Sequence, residues 1–326
     1  MNKCRALLFY VLIWLALTVQ QTFSQQAHQD IRFEHLSQEQ GLSQSSAHSV
    51  LQDRQGYIWI GTDDGLNCYD GYRFTVFRND AMDSTSISGY PIYSLFEDRS
   101  GSLWIGTFGG GLNKFNPTTK SFEHFTNDPK KPQSLSNNYV RAIYQDRSGS
   151  LWVGSDGGGL SKFDPSTKTF EHFTSDPKNP KSLSNNSVRT IYQDRSGSLW
   201  VGTDGGGLNK FDPATKSFEC FKSDPKNSKS LSNNNIKAIS QDRAGSIWIG
   251  TQGGLNKFDP KTQLFEHFIN DPKNPNSLGN NIVSSIYGDR SGSLWVGSDG
   301  GGLSKFDPST KTFEHFYQRP QEPKES

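Results

Sequence analysis

The apolar residues of this chain show no helical period. They come in short bursts separated by Gly, Asp, Asn, Ser and Pro, and the bursts return in the same order six times. One repeat shows the pattern. Val140-Arg141-Ala142-Ile143-Tyr144 predicts a strand that ends at an Asp146 to Gly149 turn, and Leu151-Trp152-Val153-Gly154 predicts a second that ends in a glycine loop, Asp156 to Gly159. Leu160-Ser161-Lys162-Phe163 alternates as a third strand. Asp164 to Thr167 is a turn, with Pro165 where it need not donate to a ladder, and Phe170-Glu171-His172-Phe173 is the fourth. A longer polar loop, Asp176 to Asn186, leads to the next copy.

The phrase Asp146-Arg147-Ser148-Gly149-Ser150-Leu151-Trp152-Val153-Gly154 anchors the repeat. Its tryptophans, Trp59, Trp104, Trp152, Trp200, Trp248 and Trp295, are spaced by 45, 48, 48, 48 and 47 residues. Four strands at this period predict an all-β β-propeller of four-stranded antiparallel blades. Residues 1–24 read as a leader, 25–45 as an incoming strand and loop, 46–317 as six repeats, and 318–326 as a polar tail.

Blade count is left open. Ile31 to Leu36 matches the end of later repeats, so the chain enters the repeat in its last quarter and carries seven candidate fourth strands against six of every other kind. Either six blades carry a surplus edge, or the chain is an incomplete seven-bladed ring. Residues 148–173 and 291–316 are identical, as expected of recent duplication.

Composition shifts the core toward aromatics. Only 32% of the 326 residues are hydrophobic, yet 12% are aromatic. One buried Trp or Phe is worth at most about 4 to 6 kcal/mol of burial, so six tryptophans with their paired phenylalanines can hold six small layers. Lys and Arg number 34 against 33 acidic residues. Without Lys3 and Arg5 the chain is near neutral, which argues against nucleic acid or anionic lipid as partner. Lys3 and Arg5, the apolar stretch Ala6 to Val19 and the small residues near Ser24 predict a Sec-type signal peptide and a periplasmic or otherwise exported protein. Cys68 and Cys220 occupy unrelated repeat positions, so neither a disulfide framework nor a metal spacing is expected.

Chemistry is expected where repeats differ while their surroundings barely change. Five residues before each repeat Asp stand His48, Tyr93, Arg141, Arg189, Lys237 and Ser284; in the loop after the second strand stand Asp63, Phe108, Asp156, Asp204, Gln252 and Asp299. In a propeller both sets face one axial funnel, where convergent polar groups with an occasional aromatic suit a ligand. Tyr90 and Tyr139 could add stacking surfaces for a sugar, with packing at the strand start the favoured alternative. The repeat aspartates, present once per blade, read as turn residues rather than catalytic ones. The glycine triplets lack the helix that a phosphate loop needs. His35, His124, His172, His267 and His315 lie on separate outer strands, so no metal site is expected. No cofactor and no catalytic constellation is assigned. An enzyme reading survives only as a lyase or glycoside hydrolase that would use His48 with Asp63 or Asp64. An adhesive array of blades is a third reading.

The segment Val188 to Asp212, VRTIYQDRSGSLWVGTDGGGLNKFD, resembles the repeat of two-component regulator propellers, as do its five counterparts over roughly residues 30 to 317. The resemblance implies the exported sensor part of a bacterial histidine kinase or hybrid kinase. A carbohydrate or other small-molecule ligand and a membrane sensor kinase as partner are implied with it. Kinase, immunoglobulin-like and membrane segments are not recognised here, so kinase activity is not carried over.

Overall fold

A computed structural model describes residues 33–289 and 291–316. The leader and the tail lie outside these residues. The chain divides into two units at Leu36, and Phe33 to Leu36, all that is described of the first, contain no strand. The part of the surplus strand that is described is therefore not one.

The second unit contains twenty-four described strands, in six antiparallel sheets of four. Blade 1 is β1 (Ala47–Gln52), β2 (Ile58–Thr62), β3 (Gly65–Tyr69) and β4 (Phe74–Phe77). Blade 2 is β5 (Ile92–Glu97), β6 (Leu103–Thr107), β7 (Leu112–Asn116) and β8 (Ser121–Phe125). Blade 3 is β9 (Val140–Gln145), β10 (Leu151–Ser155), β11 (Gly159–Asp164) and β12 (Thr169–Phe173). Blade 4 is β13 (Val188–Gln193), β14 (Leu199–Thr203), β15 (Gly207–Asp212) and β16 (Ser217–Phe221). Blade 5 is β17 (Ile236–Gln241), β18 (Ile247–Thr251), β19 (Gly254–Asp259) and β20 (Leu264–Phe268). Blade 6 is β21 (Val283–Gly288), β22 (Leu294–Ser298), β23 (Gly302–Asp307) and β24 (Thr312–Phe316). The fold is a six-bladed β-propeller, and β24 fills the outer edge of the last blade.

Each blade is built around its repeat Asp. In blade 3, Asp146 Oδ1 accepts the backbone N–H of Ser150 at 3.0 Å, closing the turn, while Oδ2 accepts the Trp152 indole N–H at 2.8 Å. Burial pushes the Asp146 carboxyl up, but hydrogen bonds from Ser148, Trp152 and the turn backbone outweigh it and hold it below its ordinary value. The same Asp to Trp bond occurs in every blade at 2.8 Å.

Four devices join one blade to the next. At the centre, a β-branched residue packs over a glycine of the preceding blade: a Cβ on Gly154 would lie 2.4 Å from Val188 Cγ1, and Gly61, Gly106, Gly202 and Gly250 face Ile92, Val140, Ile236 and Val283 in the same way. Around this contact the Trp of blades 1 to 5 meets the third-strand Phe of the following blade, as Trp152 meets Phe211 at 5.3 Å and 68°. On the face of the Asp turns, Arg147 donates its backbone N–H to Gln193 Oε1 at 2.8 Å and its guanidinium to the Arg195 carbonyl at 2.7 Å. At the outer rim, Lys168, held at φ 57°, pairs with Glu123 of the preceding blade; Lys216 with Glu171 and Lys311 with Glu266 repeat the arrangement.

The junction between blade 6 and blade 1 is different. First strands pack in the order β1, β5, β9, β13, β17 and β21, and among the described residues β21 and β1 do not pack as these neighbours do. Among the described residues a Cβ on Gly297 would meet only Ser285 of its own blade. Val50, whose counterparts Ile143, Ile191 and Ile239 are buried, is 66% exposed, and Tyr287 is 65% exposed. The six blades therefore share five sealed interfaces and one open seam.

Candidate functional site

The second residue of every first strand falls in a β-bulge, where pairing skips one residue: Val188 pairs with Thr203 and Thr190 with Gly202, leaving Arg189 between them. The same shift occurs in all six blades. A bulge re-aims the unpaired side chain. In five blades the loop residue after the second strand is then fixed beside it by a backbone hydrogen bond to the residue preceding the first strand, as Asp204 N–H donates to the Ser187 carbonyl and Asp156 N–H to that of Tyr139.

The two sets meet. His48 Nε2 lies 2.7 Å from Asp63 Oδ1, and its ring is 4.6 Å from that of Tyr93. The Arg141 guanidinium stacks 3.8 Å above Tyr93 and lies 5.3 Å from Phe108. Arg141 also pairs with Asp156 at 3.5 Å, and Arg189 spans two blades, reaching Asp156 at 3.7 Å and donating from Nε to Asp204 at 3.0 Å. From blade 1 to blade 4 the variable residues thus form one continuous band, aromatic at the start and ionic at the end. Burial works against the Asp156 charge, yet the hydrogen bond from Ser187 and the neighbouring Arg189 and Arg141 hold the carboxyl below its ordinary value.

Beyond blade 4 the band loosens. No ion pair or hydrogen bond ties the Lys237 ammonium among the described residues. Gln252 accepts from Asn235 at 2.7 Å, and Asp299 accepts from the Ser284 hydroxyl. On the outer side of the aromatic stretch, Phe108 stacks on Tyr139 at 4.3 Å and 23°, and Tyr139 lines a shallow pocket with Gly109, Asn127, Asn137 and Asn138. Tyr139 is thus stacked on a neighbour within the protein, and Asp64 pairs with Arg78 at 2.8 Å while His48 takes Asp63.

The other sequence candidates have structural duties. His124 and His267 bond the Ser86 and Ser230 carbonyls of the loops leading into their own blades, and His172 bonds Ser161 and Pro132. Cys68 and Cys220 are free, half-buried thiols. The bulge was not foreseen. Its signal is the alternation itself: the polar or aromatic residue in second place interrupts an otherwise period-two strand.

Comparison with known proteins agrees with the repeat. Residues 41–64, 86–109, 134–157, 182–205, 230–253 and 277–300 match the two component regulator propeller family. A histidine kinase P4 of Formosa agariphila is 56% identical over 48 residues, 15% of this chain and 4% of that protein. Among solved structures, the extracellular domain of a putative hybrid two component system from B. thetaiotaomicron is 28% identical with a TM-score of 0.74, over 88% of this chain and 37% of that one. A virginiamycin B lyase from Staphylococcus aureus shares the fold at 13% identity and a TM-score of 0.62, over 85% of both chains. The chain thus spans a small part of the kinase and under half of the sensor domain. By its six matched repeats, each centred on the Asp to Trp turn, the chain belongs to the two-component regulator propeller family.

Proposed function

We propose that this propeller is an exported sensing or interaction module that binds a small ligand over the His48 to Asp204 band. One observation carries the reading. The side chains that differ most between near-identical blades are those that the bulges turn toward one another, and they combine aromatic faces with paired guanidinium and carboxylate groups. Flat hydroxyl-bearing molecules such as oligosaccharides suit this mixture, stacking on Tyr93 and Phe108 while Arg189 and Asp204 exchange hydrogen bonds with hydroxyls. The extracellular sensor domains that the chain resembles support export by the Ala6 to Val19 leader and coupling to a membrane kinase.

Thermal unfolding of residues 25–326 against a panel of oligosaccharides and small metabolites tests this. A ligand at one hundred times its dissociation constant adds about 2.7 kcal/mol. One compound should raise the transition of the wild type and not that of Arg189→Ala; a panel with no effect on either would sink the proposal.

A second reading rests on the 2.7 Å contact of His48 with Asp63. A carboxylate beside an imidazole can orient it as a general base, as a lyase or glycoside hydrolase would require. Turnover of any panel member that vanishes in His48→Ala would favour it, and binding without turnover would exclude it for that compound.

A further inference from the structure

We propose that the open seam is a docking surface for a second copy of this chain, the blade 6 face of one molecule receiving the blade 1 face of another. The blade 6 face is not an arbitrary apolar patch. Its residues 291–316 are identical to 148–173 of blade 3, whose corresponding face is covered by blade 4. Under that cover Trp152 is 3% exposed, its ring edge-on to Phe211, and Leu160 is fully buried. In blade 6 the equivalent Trp295 and Leu303 are only half-buried, Tyr287 is exposed, and Gly297 has no residue of another blade above it. The occupant this face is shaped for is a blade of the same repeat.

Blade 1 presents the matching half. Val50 stands where Ile143, Ile191 and Ile239 are buried against a preceding blade, and it is 66% exposed. Tyr69, paired with Ile58 as Phe163 is with Leu151, holds the place of the Phe that meets a preceding Trp. The rim can be complementary in charge: exposed Glu314 stands where Glu123 and Glu171 take a lysine from the following blade, and Arg73, 84% exposed and paired at 3.4 Å with Asp70 of its own turn, directly precedes the fourth strand of blade 1. Ala47 replaces the Val or Ile of the other first strands, leaving the central contact smaller than at internal junctions. The joint is therefore head to tail and weaker than a sealed interface, which makes assembly concentration-dependent.

Light scattering after size exclusion, on the full chain over a range of concentrations, tests this with Val50→Asp and Tyr287→Asp, both at exposed positions. The wild type should gain mass with concentration, and each variant alone should stay monomeric. Mixed, the two should form a one-to-one dimer and nothing larger, because the intact blade 6 face of the first meets the intact blade 1 face of the second. That recovery also shows that both variants are folded. A wild type that stays monomeric throughout, a single variant that still assembles, or a mixture that does not would each overturn the proposal.

Discussion

Asp146 and Trp152, six residues apart, are joined by a 2.8 Å hydrogen bond from the indole to a carboxylate whose other oxygen closes the turn between them. One carboxylate thus fixes both the hairpin and the orientation of the ring that the next blade covers. Chain reversal and inter-blade packing become a single cooperative element, repeated once per blade.

Removing that carboxylate should cost more than an ordinary turn substitution. Asp146→Ala leaves the buried Trp152 N–H and the Ser150 N–H without acceptors, and each orphaned donor costs about 1–3 kcal/mol. A loss of about 3 kcal/mol is expected in urea unfolding. A double-mutant cycle with Trp152→Phe should show positive coupling, since the phenyl ring no longer needs the acceptor; additive losses would contradict the link.

Acid should unfold the protein through these same groups. Burial opposes the charge of Asp98, Asp146 and Asp289, but hydrogen bonds win and lower all three, Asp289 to about 2 from an ordinary 3.8. A carboxyl held lower in the folded state stabilises it above the unfolded value and loses that contribution as pH falls through the folded one. The melting temperature should therefore be flat on this account above about pH 5 and fall between about pH 4 and 2. Asp146→Asn should flatten the fall in part, and an unchanged acid limb would place the proton uptake elsewhere.

The Cys68 thiol should be a poor nucleophile. Burial, with lesser contributions from the Asp53 and Asp70 charges, raises it to about 11. Since the thiolate is the reactive form, its labelling at pH 8 should be roughly a hundredfold slower than for the unfolded chain. Timed labelling of residues 25–326 carrying Cys220→Ser, in which Cys68 is the one remaining thiol, with and without denaturant, measures the ratio; equal rates would contradict the burial.

Much of this architecture was legible beforehand. Strand order, blade boundaries and the turn role of the repeat Asp follow from a pattern that recurs in phase, because every blade solves the same local problem. The convergence of Arg141, Asp156, Arg189 and Asp204 was legible for the same reason. The Asp to Trp bond was not, since only the folded turn brings the ring back over the carboxylate. Nor was the duty of Arg147, whose partners Gln193 and Arg195 lie 46 and 48 residues away. The seam was hidden because counting repeats says nothing of how the last meets the first; Ala47 and Tyr69, which depart from the residues of their counterparts, are its traces on blade 1.

Glycine substitutions distinguish a sealed junction from an open one. Gly154→Ala would set a methyl group 2.4 Å from Val188 Cγ1 and 3.3 Å from Ala142 Cβ, both held within the packed face between blades 3 and 4. Overpacking of this kind costs about 1–3 kcal/mol. Gly297 holds the same place in blade 6, where the near neighbour of a new methyl is the Ser285 hydroxyl, a group that can rotate away. Gly297→Ala should change stability by less than about 0.5 kcal/mol, as a surface substitution does. Thermal unfolding of the two variants at low protein concentration gives the comparison. Equal losses would mean that blade 1 covers Gly297 in solution and that the ring seals on itself.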